Sequence, residues 1–327
     1  MAIDRQPTKV RYDGLDVYGM PPSSSGGTTV GEALNILQPQ HLAQQSTTQA
    51  LHTYLEASAL AFADRGAYIG DPAYVDVPQK ELLSRGFGAE RSCLIDPQRA
   101  AVKPVPAGSP DGKYSPCAKG TAVEQRPDTE GRSTTHLVAA DKWGNVVSYT
   151  LTIEQTGGSG ITVPGRGFLL NNELTDFSAV PDPKDPNIVA AGKRPRSSMS
   201  PTIVLRSGKP FIALGSPGGS TIITTVLQTL TNRLDRGMTL PEAIAAPRAA
   251  QRNTAAVTAE QSFIDAYGPA LTPYGRTFAV PGAPGTSAAE IGALEALEFL
   301  PSGAILAAAE PVRRGGGAAG TVKQVWP

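Results

Sequence analysis

The stretch from Thr134 to Thr152 constrains the fold more than any other. Two runs rich in β-branched and apolar residues, Leu137 to Ala139 and Val146 to Ile153, flank Asp141-Lys142-Trp143-Gly144-Asn145. That pattern predicts a β-hairpin with Gly144 in its turn. The segment ahead of it is poor in apolar residues, so an ordered sheet begins abruptly at Thr134, directly after Arg132-Ser133. A chain cut at that junction gains an N-terminal threonine. Its own α-amino group, with an unperturbed pKa of about 8, can take the proton from its hydroxyl. Taken alone, Ser-Thr-Thr before a strand is ordinary loop chemistry. The neighbouring motifs decide between the two.

With 327 residues, 40% of them hydrophobic and 18% charged, the chain suits one large or two ordinary globular domains. Basic and acidic residues number 29 each, so no global field draws nucleic acid or an anionic membrane, and a small-molecule partner is expected. His41, His52 and His136 are scattered without metal-ligand spacing, so no metal site is expected from them. Cys93 and Cys117 are the only cysteines; a disulfide between them and two free thiols are both open. No apolar run is long enough to span a bilayer and residues 1–7 lack the apolar core of a signal peptide, so a soluble chain without a visible export signal is expected.

Taken in order, residues 10–19 read as strand with a turn at Asp13-Gly14, and Gly27 opens a helix carrying Val30, Ala33, Leu34 and Leu37. Gly26 and Gly27 suit either anion binding or close packing, packing being the expectation. A second helix is expected over 48–65 with an apolar stripe through Leu51, Tyr54, Leu55, Ala59 and Phe62. Pro78 is placed to begin a short helix ending near Gly86. Residues 101–133 collect prolines and glycines with little apolar material, the composition of a linker or mobile tail.

After the central hairpin, Glu173 and Asp176 stand three apart, a spacing that lets two carboxylates converge on one cation. Residues 193–200 hold three cations and three hydroxyls, Ser197 and Ser198 among them, suited to a carboxylate or phosphate. Thr202–Arg206 and Phe211–Gly215 predict a second hairpin. It leads to Gly215-Ser216-Pro217-Gly218-Gly219-Ser220 and a helix. That run lacks the lysine of a phosphate loop, so its backbone N–H groups are better aimed at a developing oxyanion. A further helix is expected near 240–246.

Four motifs in this order, Thr134-Thr135-His136, Leu170-Asn171-Asn172-Glu173 with Asp176-Phe177-Ser178, Arg194-Pro195 with Ser197-Ser198-Met199-Ser200-Pro201, and Gly215 to Ser220, resemble the γ-glutamyltransferase family of N-terminal nucleophile hydrolases. The resemblance implies cleavage between Ser133 and Thr134. The end of a large subunit (1–133) and a whole small subunit (134–327) would then form a heterodimer. It implies Thr134 as nucleophile and Thr152 as the hydroxyl that orients it. Gly218 and Gly219 are implied as the oxyanion hole, Glu173 and Asp176 as ligands of a glutamyl α-ammonium, and Ser197 with Ser198 as ligands of its α-carboxylate. Glu154 stands near the substrate where the family usually has asparagine, which makes the site more acidic.

The implied reaction is γ-glutamyl transfer from glutathione or other γ-glutamyl compounds to water, amino acids or peptides, through an ester on Thr134 and without a cofactor. The family suggests a periplasmic or secreted location. The implied fold is an αββα sandwich of two stacked antiparallel sheets, lacking the first half of the family's large subunit and with it the arginine that pairs with the substrate α-carboxylate. One face of the sandwich is therefore expected to be uncovered. The loop between Ser178 and Lys193 is shorter than in members with a lid, so an open cleft is expected. The alternatives are a cephalosporin or glutaryl amidase using the same threonine, and a fragment without activity of its own.

Overall fold

The structure, a computed structural model, describes residues 3–117, 133–180, 182–282 and 290–322. The first hairpin joins β1 (Thr8–Tyr12) to β2 (Leu15–Gly19). Asp13 and Gly14 both adopt positive φ, +46° and +80°, the turn geometry that matches strand twist. Along β1, Thr8, Val10 and Tyr12 are buried while Lys9 and Arg11 face outward, the period-2 alternation of a half-covered sheet.

Two long helices follow, α1 (Gly26–Leu37) and α2 (Thr47–Tyr68). A Cβ on Gly26 would overlap the Met199 carbonyl oxygen, and one on Gly27 the Met20 carbonyl oxygen. These glycines serve close packing, as expected. In α2 every residue from Ala50 to Arg65 is buried, not only the apolar stripe. A helix buried all round sits at the centre of its domain. It carries His52, Glu56, Asp64 and Arg65 inward with it.

The helix expected from Pro78 to Gly86 is two: α3 (Gln79–Leu82) and α4 (Arg85–Ser92). The break is at Ser84, whose hydroxyl accepts from Phe87 N at 3.1 Å and so restarts the helix as its N-cap.

The expected tail from 101 to 133 is not loose where it is described. Lys103 pairs with buried Glu56 at 2.8 Å, and Asn253 holds Val105 through both backbone groups, at 2.7 and 2.9 Å. Cys117 forms a disulfide with Cys93, which settles the open alternative for the cysteines. Residues 118–132 of that expectation lie outside the described residues.

The central hairpin is β3 (Thr134–Ala140) and β4 (Val146–Thr152), and the second is β5 (Thr202–Arg206) and β6 (Lys209–Gly215). Then come α5 (Thr221–Leu234), α6 (Leu240–Ala245), β7 (Ala249–Ala250), β8 (Val257–Ala259), α7 (Gln261–Leu271), β9 (Phe278–Ala279), β10 (Glu295–Phe299) and β11 (Ile305–Ala309). Six strands form one antiparallel sheet in the order β1-β2-β5-β6-β10-β11. The main core lies between it and α1, α2 and α5, with Leu34, Leu55, Val204, Ile212, Ile223 and Val226 almost wholly buried. Strands β7, β8 and β9 form a small separate sheet.

The β3–β4 hairpin stacks on the six-stranded sheet, β4 against β6 and β3 against β10. Ser148 Oγ donates to the Leu214 carbonyl at 3.0 Å, and the His136 imidazole fills the space a Cβ on Gly215 would need. These are two stacked antiparallel sheets, the smaller being a single hairpin among the described residues. Its outward face, carrying Leu137, Val147 and Tyr149, is exposed.

Candidate active site

The hairpin register sets Thr134 directly opposite Thr152, so both hydroxyls share one face at the end of the ladder. Thr134 Oγ1 donates to Thr152 Oγ1 at 3.3 Å; Thr152 Oγ1 in turn donates to the Ser133 carbonyl at 3.1 Å and accepts from Glu154 N at 2.8 Å. The hydroxyl of Thr152 thus bridges the side chain of residue 134 and the carbonyl of the peptide bond before it.

Beyond the ladder the chain turns at Glu154, which holds φ +73° and is buried. Asn172 Nδ2 donates to its Oε2, whereas Oε1 has no hydrogen-bond partner. A short 3₁₀ turn, Glu173–Asp176, brings the next two acids to the same place. Burial pushes the Glu173 carboxyl above the usual carboxylate range; a hydrogen bond with Asp176 opposes the rise and the charge of Glu154 adds to it. Glu173 Oε1 also lacks a partner. Asn187 anchors the turn by donating to the Asp176 carbonyl at 2.7 Å.

The two serines come from the loop before β5. Ser197 forms a bridge with Ser24, and its carbonyl accepts from Ser25 N at 2.7 Å and Ser25 Oγ at 2.8 Å. Ser24 Oγ donates to the Met199 carbonyl at 2.7 Å. The start of α1 thereby fixes the Ser197-Ser198 backbone. At the end of β6, Gly218 and Gly219 take φ of +143° and +57°, values that admit glycine readily, just ahead of α5. Thr221 Oγ1 donates to the Gly218 carbonyl at 2.7 Å, tightening that turn.

Thr134, Thr152, Glu154, Glu173, Asp176, Ser197, Ser198 and Gly219 line one pocket. Gly218, the remaining candidate from the sequence, sits in the same turn as Gly219 but not on the lining. Sequence reasoning gave no role to Asn172, although it lies inside a quoted motif. It also missed Met199 and Ile222, which complete the lining, and Arg65, whose guanidinium donates to Ser198 Oγ at 2.8 Å. The pocket joins two paired threonine hydroxyls, three carboxyl side chains and two serines. Hydroxyls can carry an acyl group, carboxylates can meet a cation and serines can donate to an anion.

The sequence model of the Gamma-glutamyltranspeptidase family matches residues 2–320. The chain belongs to that family. It is 44% identical over 239 residues to the glutathione hydrolase proenzyme of Bacillus subtilis strain 168, covering 72% of this chain and 40% of the relative. It is 36% identical over 246 residues to the acylase ACY 1 proenzyme of Pseudomonas sp. strain SE83, covering 75% and 40%. Among solved structures, cephalosporin acylase from Bacillus halodurans superposes with a TM-score of 0.80 at 28% identity, covering 98% of this chain and 53% of that one. The fold is accordingly that of the N-terminal nucleophile hydrolases. The chain spans about 40% of the length of the curated relatives it matches.

Proposed function

We propose that this chain is a self-cleaving γ-glutamyl acyl-transfer enzyme. The observation that carries the reading is the Thr134–Thr152 hydroxyl pair lining the same pocket as Glu154, Glu173, Asp176, Ser197 and Ser198. The names of the relatives, glutathione hydrolase proenzymes, support both the acyl group and the processing.

In processing, Thr134 Oγ1 attacks the Ser133 carbonyl carbon. Its proton passes toward Thr152 Oγ1, while the Thr152 hydroxyl donates to the carbonyl oxygen as negative charge builds there. The carbon–nitrogen bond breaks as the proton taken from Thr134 Oγ1 is passed on to the Thr134 nitrogen, the acyl group moves to oxygen, and water hydrolyses the ester to a Ser133 carboxylate and the free hydroxyl. The products are 1–133, ending at Ser133, and 134–327, which begins with a free threonine amine and stays associated with the first. That amine then serves as base when Thr134 Oγ1 attacks a γ-glutamyl carbonyl, and it hands the proton to the leaving amine. Backbone N–H groups at Gly218 and Gly219 receive the oxyanion. Glu154, Glu173 and Asp176 hold the α-ammonium, and Ser197 with Ser198 donate to the α-carboxylate. Water or an amino acid or peptide amine takes the acyl group from Thr134. No cofactor enters the scheme.

Turnover of a γ-glutamyl anilide by the wild-type chain and none by Thr134→Ala is the expected result; equal release by both refutes it. The similarity to cephalosporin acylase favours a second reading, an amidase acting on a glutaryl group. A glutaryl amide lacks the ammonium that the pocket carboxylates would hold, so it is expected to be the poorer substrate. Faster turnover of the glutaryl amide than of the γ-glutamyl anilide would reverse the assignment.

A further inference from the structure

Among the described residues no lysine or arginine lines the pocket, yet a guanidinium meets its Ser198 hydroxyl. Arg65, 3% exposed near the end of α2, donates from Nε to Ser25 Oγ at 2.9 Å and from Nη2 to Ser198 Oγ at 2.8 Å. Ser25 Oγ in turn donates to the Ser197 carbonyl at 2.8 Å. A guanidinium only donates, whereas a serine hydroxyl both donates and accepts. With a lone pair of Ser198 Oγ committed to Arg65, the single Ser198 proton is directed away from the guanidinium, on the side where Ser198 meets the pocket.

We propose that Arg65 is the positioning residue of the pocket's carboxylate end: it makes Ser198 a donor and lends its charge to an anion through that hydroxyl. The proposal rests on the γ-glutamyl reading of the site and deepens it, giving the α-carboxylate a cation that acts without touching it. A charge-assisted donor pair of this kind selects a carboxylate over a neutral group at the same place. Ser25 has the supporting part, since it holds the Nε edge of the same guanidinium and so fixes its plane.

The test compares binding of L-glutamate with binding of 4-aminobutyrate, which lacks only the α-carboxylate, by calorimetry on the full chain. Turnover of γ-glutamyl anilide is followed in parallel. The wild type is expected to prefer glutamate, and Arg65→Lys to reduce that preference about tenfold through the glutamate arm alone. In a Ser198→Ala background the same substitution is expected to add little, because the two side chains act as one unit. Should Arg65→Lys fail to fold, Ser25→Ala, which releases only the Nε edge, is expected to lower the preference about threefold.

An unchanged glutamate preference in Arg65→Lys or, where that variant does not fold, in Ser25→Ala overturns the proposal. So does an equal loss for both ligands, full additivity with Ser198→Ala, or a wild type that binds neither ligand selectively. Failure of the function reading looks different: selective glutamate binding that depends on Arg65, without turnover of the anilide.

Discussion

Two clusters of glutamates follow opposite rules. Around Glu260 and Glu310 the chain supplies its own cations: Arg313 reaches Glu260 at 2.6 and 2.8 Å and Glu310 at 3.0 Å, and Arg248 reaches Glu310 at 2.8 Å. Burial raises the Glu260 carboxyl, but the hydrogen bonds and charge of Arg313 outweigh it and hold the group below the usual range. At the pocket, Glu154 and Glu173 each keep one oxygen without a hydrogen-bond partner, and Glu173 is pushed up. The same residue type is a closed network in one place and an open acceptor in the other. A closed network maintains the fold; on the function proposed above, the open one is where a cation from outside would bind.

The largest effect that sharpens this contrast is expected from Arg313→Met. It strands the Glu260 carboxylate and leaves Glu310 to Arg248 alone, costing about 3–5 kcal/mol. The melting temperature should fall on the order of 10 °C. A drop within error would show that the network is not closed in the sense argued. Glu173→Gln should behave in the opposite way. Thermal stability holds or rises, because a neutral amide replaces a disfavoured charge, while kcat/KM for a γ-glutamyl anilide falls about 100-fold. If Glu173→Gln destabilises the protein as Arg313→Met does, the two clusters are of one kind.

The pH dependence provides a smaller, signed effect. A carboxyl raised in the folded state keeps its proton after the unfolded chain has lost it, so stability falls as pH rises from 4.5 through the folded value. Thermal scans of the ligand-free protein should show that fall, and Glu173→Gln should reduce it. Saturating L-glutamate should offset it, since an ammonium favours the ionised form. A ligand-free profile that rises through the same window counts against the assignment. The smallest effect is expected from a third site. Glu32 in α1 is fully buried; burial, then the nearby charge and hydrogen bond of Asp64, hold its carboxyl well above the usual range. Glu32→Gln should raise the melting temperature by a few degrees more at pH 8 than at pH 5, and equal shifts at both would place the proton elsewhere.

Much of this was legible in the residues because it is local. Asp13-Gly14 and the Gly144 turn mark hairpins by themselves, and each site motif is a short contiguous run whose charge states its chemistry. The stacking of the hairpin on the larger sheet rested on the family resemblance, since no periodicity within 134–152 says what the hairpin covers. What stayed hidden depends on distant partners. Arg65 meets Ser198 across 133 positions, and α2 is buried on every side, so an amphipathic reading leaves its charged residues looking exposed. Residues 101–117 read as a tail because their own side chains build no core. Their anchors, Glu56 and Asn253, are supplied from elsewhere.

On the function proposed above, the Thr134 and Thr152 hydroxyls form a working nucleophilic centre in this chain. Intact mass of the purified protein followed over time, beside a Thr134→Ala control, tests it without any substrate. Fragments 1–133 and 134–327 appearing only in the wild type are the predicted result. A wild-type chain that stays whole while folded, or a Thr134→Ala chain that cleaves at the same bond, would contradict it.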